Sequence, residues 1–199
     1  QPGQREGDDD RAARFYRSRS RSRRHGDGDG DAAKSEASSN ETLTALAAEV
    51  LEAARAGNDL IATAESCTGG LVSAALTSVP GSSDVFDRGF VTYTNTAKSE
   101  MLGVPYWLIE KHGAVSEEVA RAMAGGALAH SNATIAVAIT GIAGPGGGTA
   151  DKPVGLVHFA AERRDLPTQH QRVAFGDLGR DEVRRRSVEC ALRMLRDLA

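Results

Sequence analysis

Aromatic side chains are scarce in this 199-residue chain: five phenylalanines, three tyrosines and one tryptophan make up 5% of it. A core must therefore be filled by Ala, Val, Leu and Ile, which the 40% hydrophobic content permits. Cysteine is scarcer still. Cys67 and Cys190 form neither a disulfide framework nor a metal-ligand spacing, which excludes a cross-linked secreted scaffold and a zinc module and fits a reducing compartment. No apolar run is long enough to cross a bilayer, and the N-terminus has no signal-like apolar region, so a cytoplasmic protein with no membrane partner is expected. A large excess of one charge is also missing. The first 40 residues hold nine basic and eight acidic side chains, and the remaining 15 basic and 19 acidic ones leave the rest of the chain at −4. A mildly acidic body offers no nucleic-acid groove.

What is present divides at about residue 40. Residues 1–39 run from Asp8-Asp9-Asp10 through an Arg-Ser repeat (Arg17 to Arg24) into alternating Gly and Asp up to Asp31. Such a segment cannot bury enough apolar surface to offset its ordering entropy, so a disordered low-complexity tail is expected there. Dense arginine can bind phosphate polymers, but the neighbouring Asp blocks cancel part of the charge and Phe15 and Tyr16 are the only aromatics at hand. A plain solvated tail is the better reading, and a nucleic-acid partner is not expected.

Residues 40–199 read as one globular domain. Leu43, Leu46, Ala47, Val50, Leu51 and Ala54 recur at three and four and describe one helix face, with Asn40 placed to cap its start and Gly57 its end. Leu60 to Ala64 reads as a buried strand, Leu71 to Val79 as a helix, and Phe86 to Tyr93 as a second strand. A short helix through Lys98 and Leu102 is capped by Thr94 or Asn95 and stopped by Gly103 and Pro105. Ser116 followed by Glu117 and Glu118 starts a helix that runs to about His130, because acids suit the positive end of the helix dipole. Strands follow at 134–139, 154–161 and 169–175, then an amphipathic helix built on Val183, Val188, Leu192 and Leu195. The alternation of helices and strands, with paired strands late, predicts an α/β fold, a three-layer α/β/α sandwich around a mixed sheet. In such sheets ligands sit where strand ends become loops.

Three stretches fall at predicted strand ends. In Thr63-Ala-Glu-Ser-Cys-Thr-Gly-Gly70 an apolar run stops at small polar residues and paired glycines, which holds Ser66 at a corner and leaves the N–H groups of Thr68, Gly69 and Gly70 to bind negative charge. A serine nucleophile needs a base. None of the five histidines pairs with an acid in a way that announces a triad, and each reads as a surface or strand residue; lysine is the alternative. Lys98 stands in the first turn of its helix, where the dipole disfavours its cation, and Tyr93 just before it can relay a proton or orient it. No dinucleotide fingerprint is present to suggest a Tyr-Lys oxidoreductase. Cys67 is the rival nucleophile, but alternation turns it to the opposite side from Ser66, so it reads as packed. The third stretch, Gly141 to Gly148, can cradle a phosphate or carboxamide with main-chain N–H groups. Arg180 and Arg184 can grip a phosphate from the mouth of the last helix.

Together, Ala64-Glu-Ser-Cys-Thr-Gly-Gly70, Gly89-Phe-Val-Thr-Tyr-Thr-Asn95 with Ala97-Lys98, His112-Gly-Ala-Val-Ser116, Thr140-Gly-Ile-Ala-Gly-Pro145 and Lys152-Pro-Val-Gly155 resemble the CinA C-terminal domain family, the nicotinamide-nucleotide amidohydrolases. The resemblance implies hydrolysis of the carboxamide of nicotinamide mononucleotide to nicotinate mononucleotide and ammonia, in a homo-oligomer that uses no metal or other cofactor. It implies Ser66 as nucleophile, with Lys98 and Tyr93 activating it. Glu65, Thr68, Gly69, Gly70 and Asn95 are expected at the substrate, together with Thr140, Gly141, Gly144 and Arg180. The sequence departs from the family pattern where Leu178-Gly179 separates Asp177 from Arg180. A non-catalytic nucleotide-binding module is the alternative, since it needs the same glycine loop.

Overall fold

The structure, a computed structural model, describes the backbone of residues 29–199 and the side chains from residue 42 onward. Most of the expected disordered tail lies outside the described residues. Ser39–Ala199 forms one compact unit, which holds the five strands found among the described residues. Helix α1 runs from Asp29 to Gly57, so it begins well before Asn40, the expected cap. No proline or paired glycine stands between Asp31 and Asn40 to stop it. The elements that follow are β1 (Ile61–Glu65), α2 (Leu71–Thr77), a single 3₁₀ turn (Ser82–Asp84), β2 (Phe86–Val91), α3 (Asn95–Leu102), α4 (Tyr106–His112), α5 (Glu117–Ala129), β3 (Ile135–Gly141), β4 (Leu156–Arg163), β5 (Gln169–Ala174) and α6 (Arg180–Leu198). Helix α4 was not expected from the sequence. It is short, begins directly after Pro105, and exposes Tyr106 and Trp107, so it shows little apolar periodicity.

The sheet order is β2-β1-β3-β4-β5. Strand β1 pairs parallel with both β2 and β3, while β4 and β5 extend the sheet antiparallel. The carboxyl ends of β1, β2 and β3 therefore share one edge of the sheet, with β1 between the other two.

Side-chain parity assigns the two faces. Ile61, Ile135, Val137, Ile139, Val157 and Phe159 project to one face and pack with α1, α2 and α6. Ala62, Ala64, Ala136, Ala138 and Ala160 project to the other, against α3, α4 and α5. Each large aliphatic residue buried in the first core contributes roughly 1.5–3 kcal/mol. The alanine face works differently: it lets α5 lie close to the sheet, and α5 answers with Ala120, Ala124, Gly126 and Ala127. At Gly126 a Cβ would collide with the Leu102 carbonyl oxygen, so the end of α3 presses directly on the α5 backbone. Ser116 caps α5 as expected, accepting from the Val119 N–H at 3.3 Å. The cap of α3 is Thr94, whose hydroxyl accepts from the Ala97 N–H at 3.1 Å. Asn95 is the first helical residue, not the cap.

Candidate active site

Parity also sorts the end of β1. Ser66 continues the alanine side toward α3, whereas Glu65 and Cys67 continue the isoleucine side toward α2 and α6. The Ser66 N–H donates to the Ile139 carbonyl at 3.0 Å, extending the sheet by one residue. Its Oγ lies 3.0 Å from Lys98 Nζ, which also donates to the Thr92 carbonyl at 2.9 Å. Lys98 is 1% exposed. Burial lowers its pKa from the ordinary lysine value, because the ammonium form is the one that loses hydration. A buried amine that favours its neutral form, in contact with a serine hydroxyl, can accept that hydroxyl's proton.

Around this pair lies a cavity of about 280 Å³, lined by Ser66, Cys67, Tyr93, Asn95, Lys98, Thr140, Gly141, Gly144 and Arg180, with Ala114, Val115 and the rest of the glycine loop completing its wall. The three parallel strand ends thus meet as expected. Thr140 donates its hydroxyl to the Ala114 carbonyl at 2.7 Å and ties the wall before α5 to β3. Among the described residues, the N–H groups of Ala143, Gly144, Gly146 and Gly147, all in the cavity wall, have no hydrogen-bond acceptor within the chain. Larger hollows exist, of about 340 Å³ between α1, α2 and α6 and about 490 Å³ between β5 and α6, but neither is lined by the Ser66–Lys98 pair.

Several expected roles change. Tyr93 is 58% exposed, and its hydroxyl accepts from Arg180 Nη2 at 2.8 Å; it makes no hydrogen bond to Lys98 or Ser66. The residue that orients the lysine is Thr92, through its carbonyl. Glu65 is fully buried and turned away from the cavity, and its carboxylate accepts from the N–H groups of Gly70 (2.9 Å), Val72 (3.1 Å) and Ser73 (2.8 Å) and from the Ser73 hydroxyl (2.8 Å). The anion held at the start of α2 is therefore the chain's own. This corrects the expectation of a free anion site: the Gly70 N–H serves Glu65, the Gly69 N–H donates to the Ser66 carbonyl at 3.1 Å, and the Thr68 N–H sits beside the Cys67 sulfur. Thr68 itself is buried beneath the turn and, like Glu65, Gly69 and Gly70, does not line the cavity.

Cys67 packs in the core with Ile61 and Val72, and burial pushes its thiol up to about 12, which leaves it inert beside Ser66. Arg180 bridges the mouth, donating to the Gly144 carbonyl at 2.9 Å as well as to Tyr93. Arg184 points elsewhere, onto the carbonyls of Cys67 and Thr68. The histidines include two pairings that the sequence concealed: His112 Nδ1 lies 3.0 Å from Glu118, and a second set joins two strands to α5. His158, the cross-strand neighbour of Thr140, lies with Nδ1 3.0 Å from His170 Nε2, and His170 Nδ1 lies 3.2 Å from Glu117.

The family model for the CinA C-terminal domain matches residues 43–199. The chain belongs to the CinA C-terminal domain family. A CinA-like protein from Synechococcus sp. is 51% identical over 152 residues, covering 76% of this chain and 36% of the relative. A putative competence-damage inducible protein from Symbiobacterium thermophilum is 54% identical over 145 residues, covering 68% and 34%. The chain thus spans about a third of the length of the curated relatives it matches. Among solved structures, the competence/damage inducible protein CihA from Agrobacterium tumefaciens superposes with a TM-score of 0.77 at 51% identity, covering 78% of this chain and 94% of that one. A CinA superfamily protein from Escherichia coli superposes at 0.75 with 34% identity, covering 79% and 90%. The three-layer fold around a mixed sheet is thus the fold of CinA domains. Among the described residues, no helix is long and apolar enough to cross a membrane.

Proposed function

We propose that this CinA domain is a nicotinamide-nucleotide amidohydrolase that converts nicotinamide mononucleotide to nicotinate mononucleotide and ammonia. The observation behind the reading is the 3.0 Å contact between Ser66 Oγ and the buried Lys98 Nζ. In the proposed reaction Ser66 Oγ attacks the carboxamide carbon while its proton passes to neutral Lys98. The resulting oxyanion is received by the unengaged N–H groups of the glycine loop, each worth roughly 3–4 kcal/mol in such sites. Lys98 then delivers the proton to the departing nitrogen, and ammonia leaves an acyl-Ser66 ester. Water, deprotonated by the same amine, cleaves the ester to release the acid and restore the hydroxyl.

Arg180 is proposed to bind the phosphate. Two of its N–H groups are spent on Gly144 and Tyr93, which fix the guanidinium at the mouth and leave its outer edge open. Tyr93 then acts through Arg180, not through the lysine. The reading carries with it a cytoplasmic homo-oligomer engaged in pyridine-nucleotide recycling.

The test is ammonia release from nicotinamide mononucleotide by purified protein, measured beside binding. Turnover is expected, with Ser66→Ala and Lys98→Ala each lowering kcat by at least about a thousandfold. Full turnover in either variant would overturn the assignment, and saturable binding without turnover would select a non-catalytic nucleotide-binding module.

A further inference from the structure

The turn that carries Ser66 is held from behind by α6. Arg184 Nε donates to the Cys67 carbonyl at 3.2 Å and Nη2 to the Thr68 carbonyl at 3.0 Å, across more than a hundred residues of sequence. Its side chain is largely covered, and the nearest acid, Asp181, is fully exposed and stands 4.0 Å away, so the two carbonyls are its close partners. A peptide unit is planar and trans, so fixing one end of it fixes the other. With the Thr68 oxygen held by Arg184, the N–H of the same unit, that of Gly69, is aimed away from α6, and it donates to the Ser66 carbonyl at 3.1 Å. A continuous chain therefore runs from the guanidinium through the Thr68–Gly69 peptide to the Ser66 main chain, and a cation at its head polarises each link. The other side of Ser66 is tied to β3 through Ile139.

We infer that Arg184 is a positioning residue: it sets the main chain of Ser66 so that Oγ meets Lys98, without touching substrate. The inference builds on the proposed role of Ser66 as nucleophile. Lysine is a poor substitute, because one ammonium lacks the planar fork that reaches two adjacent carbonyls.

The experiment compares Arg184→Met and Arg184→Lys with Arg185→Met, whose parent guanidinium engages Glu182 and Glu189 away from the cavity. Two readouts are taken: steady-state ammonia release from nicotinamide mononucleotide, and amide hydrogen exchange resolved at Gly69. In Arg184→Met, kcat is expected to fall about tenfold or more with KM changed less than about twofold, and the Gly69 amide to exchange about tenfold faster while α2 and α6 keep their protection. Arg184→Lys should lie between wild type and Arg184→Met, and Arg185→Met should match wild type. Unchanged exchange at Gly69, or faster exchange with kcat intact, overturns the inference. So does acceleration spread evenly over α2 and α6, or an equal loss in Arg185→Met, because either would mean general loosening. A wild-type protein that releases no ammonia refutes the amidohydrolase reading, and exchange at Gly69 then decides the role of Arg184 alone.

Discussion

Glu65 offers the sharpest separation between a substrate contact and a helix anchor. Its carboxylate is the shared acceptor for three main-chain N–H groups and one hydroxyl at the start of α2, at 2.8–3.1 Å. Glu65→Ala leaves the three main-chain donors without their acceptor, while the Ser73 hydroxyl keeps the Thr63 hydroxyl as a partner at 2.7 Å. Each unsatisfied donor costs about 1–3 kcal/mol in isolation. Water entering the space and relaxation of a seven-residue helix make these costs overlap. A total of about 3–5 kcal/mol is the range for breaking one partner of a buried charged network. At about 2–4 °C per kcal/mol for a domain of this size, Tm should fall by about 6–20 °C. Glu65→Gln, which keeps one acceptor oxygen but turns an NH₂ group toward the N–H donors, should lose about half as much. Thermal unfolding followed by circular dichroism, beside ammonia-release kinetics, reads both roles. The structural account requires a lower Tm in Glu65→Gln, with a loss in kcat from the loosened Ser66 turn and little change in KM. A raised KM at unchanged Tm would refute it and return Glu65 to the substrate.

Three further outcomes follow from packing and burial. Because Lys98 must be neutral to accept a proton, and burial lowers its pKa, kcat/KM should rise with pH through a free-enzyme pKa below the ordinary lysine value; a profile with no inflection below that value would count against the base. Gly126→Ala should destabilise the fold by about 1–2 kcal/mol, since overpacking against the Leu102 carbonyl outweighs the gain in helix propensity. Gly125→Ala, whose Cβ would meet only the flexible Glu162 carboxylate at 3.5 Å, should be neutral or stabilising in urea titrations, and equal effects at the two sites would sink the argument. Cys67, raised by burial from 9.0 to about 12, contributes stability that is complete below pH 9 and lost at up to about 1.4 kcal/mol per pH unit above it. Cys67→Ala should flatten that alkaline decline, and an unchanged slope would contradict it.

The elements were legible where local chemistry decides them: Ser116 before two glutamates, Gly103 after α3, and the uninterrupted apolar stretch of β3. The meeting of Ser66, Lys98, Asn95 and the Gly141 loop was legible too, because strand ends on one edge of a parallel sheet must converge. Glu65 was misread because it adjoins Ser66 in sequence, although it shares the parity of Ile61 and so faces α2. Thr92 was invisible for another reason: it acts through a main-chain carbonyl, which no residue type advertises. Tyr93 and Arg184 depend on where α6 docks, and a helical periodicity shows which face is buried but not which loop lies beneath it. The His158–His170–Glu117 chain needs the β4–β5 register, which the sequence leaves open.

The sheet order has a temporal consequence. Ser66 and Lys98 are 32 positions apart, and they meet only when β1 has paired in register with β2. The Ser66 N–H needs β3 as well, at a still greater separation along the chain. Parallel pairings of this kind close long loops before they are rewarded, so they form late, after the adjacent β4–β5 hairpin. A nascent or partly unfolded chain therefore lacks the Ser66–Lys98 contact, and acquires it only once the sheet has closed. On the proposed role of Ser66, its reactivity becomes a clock for the completion of folding, and a serine-directed label added during refolding would read it.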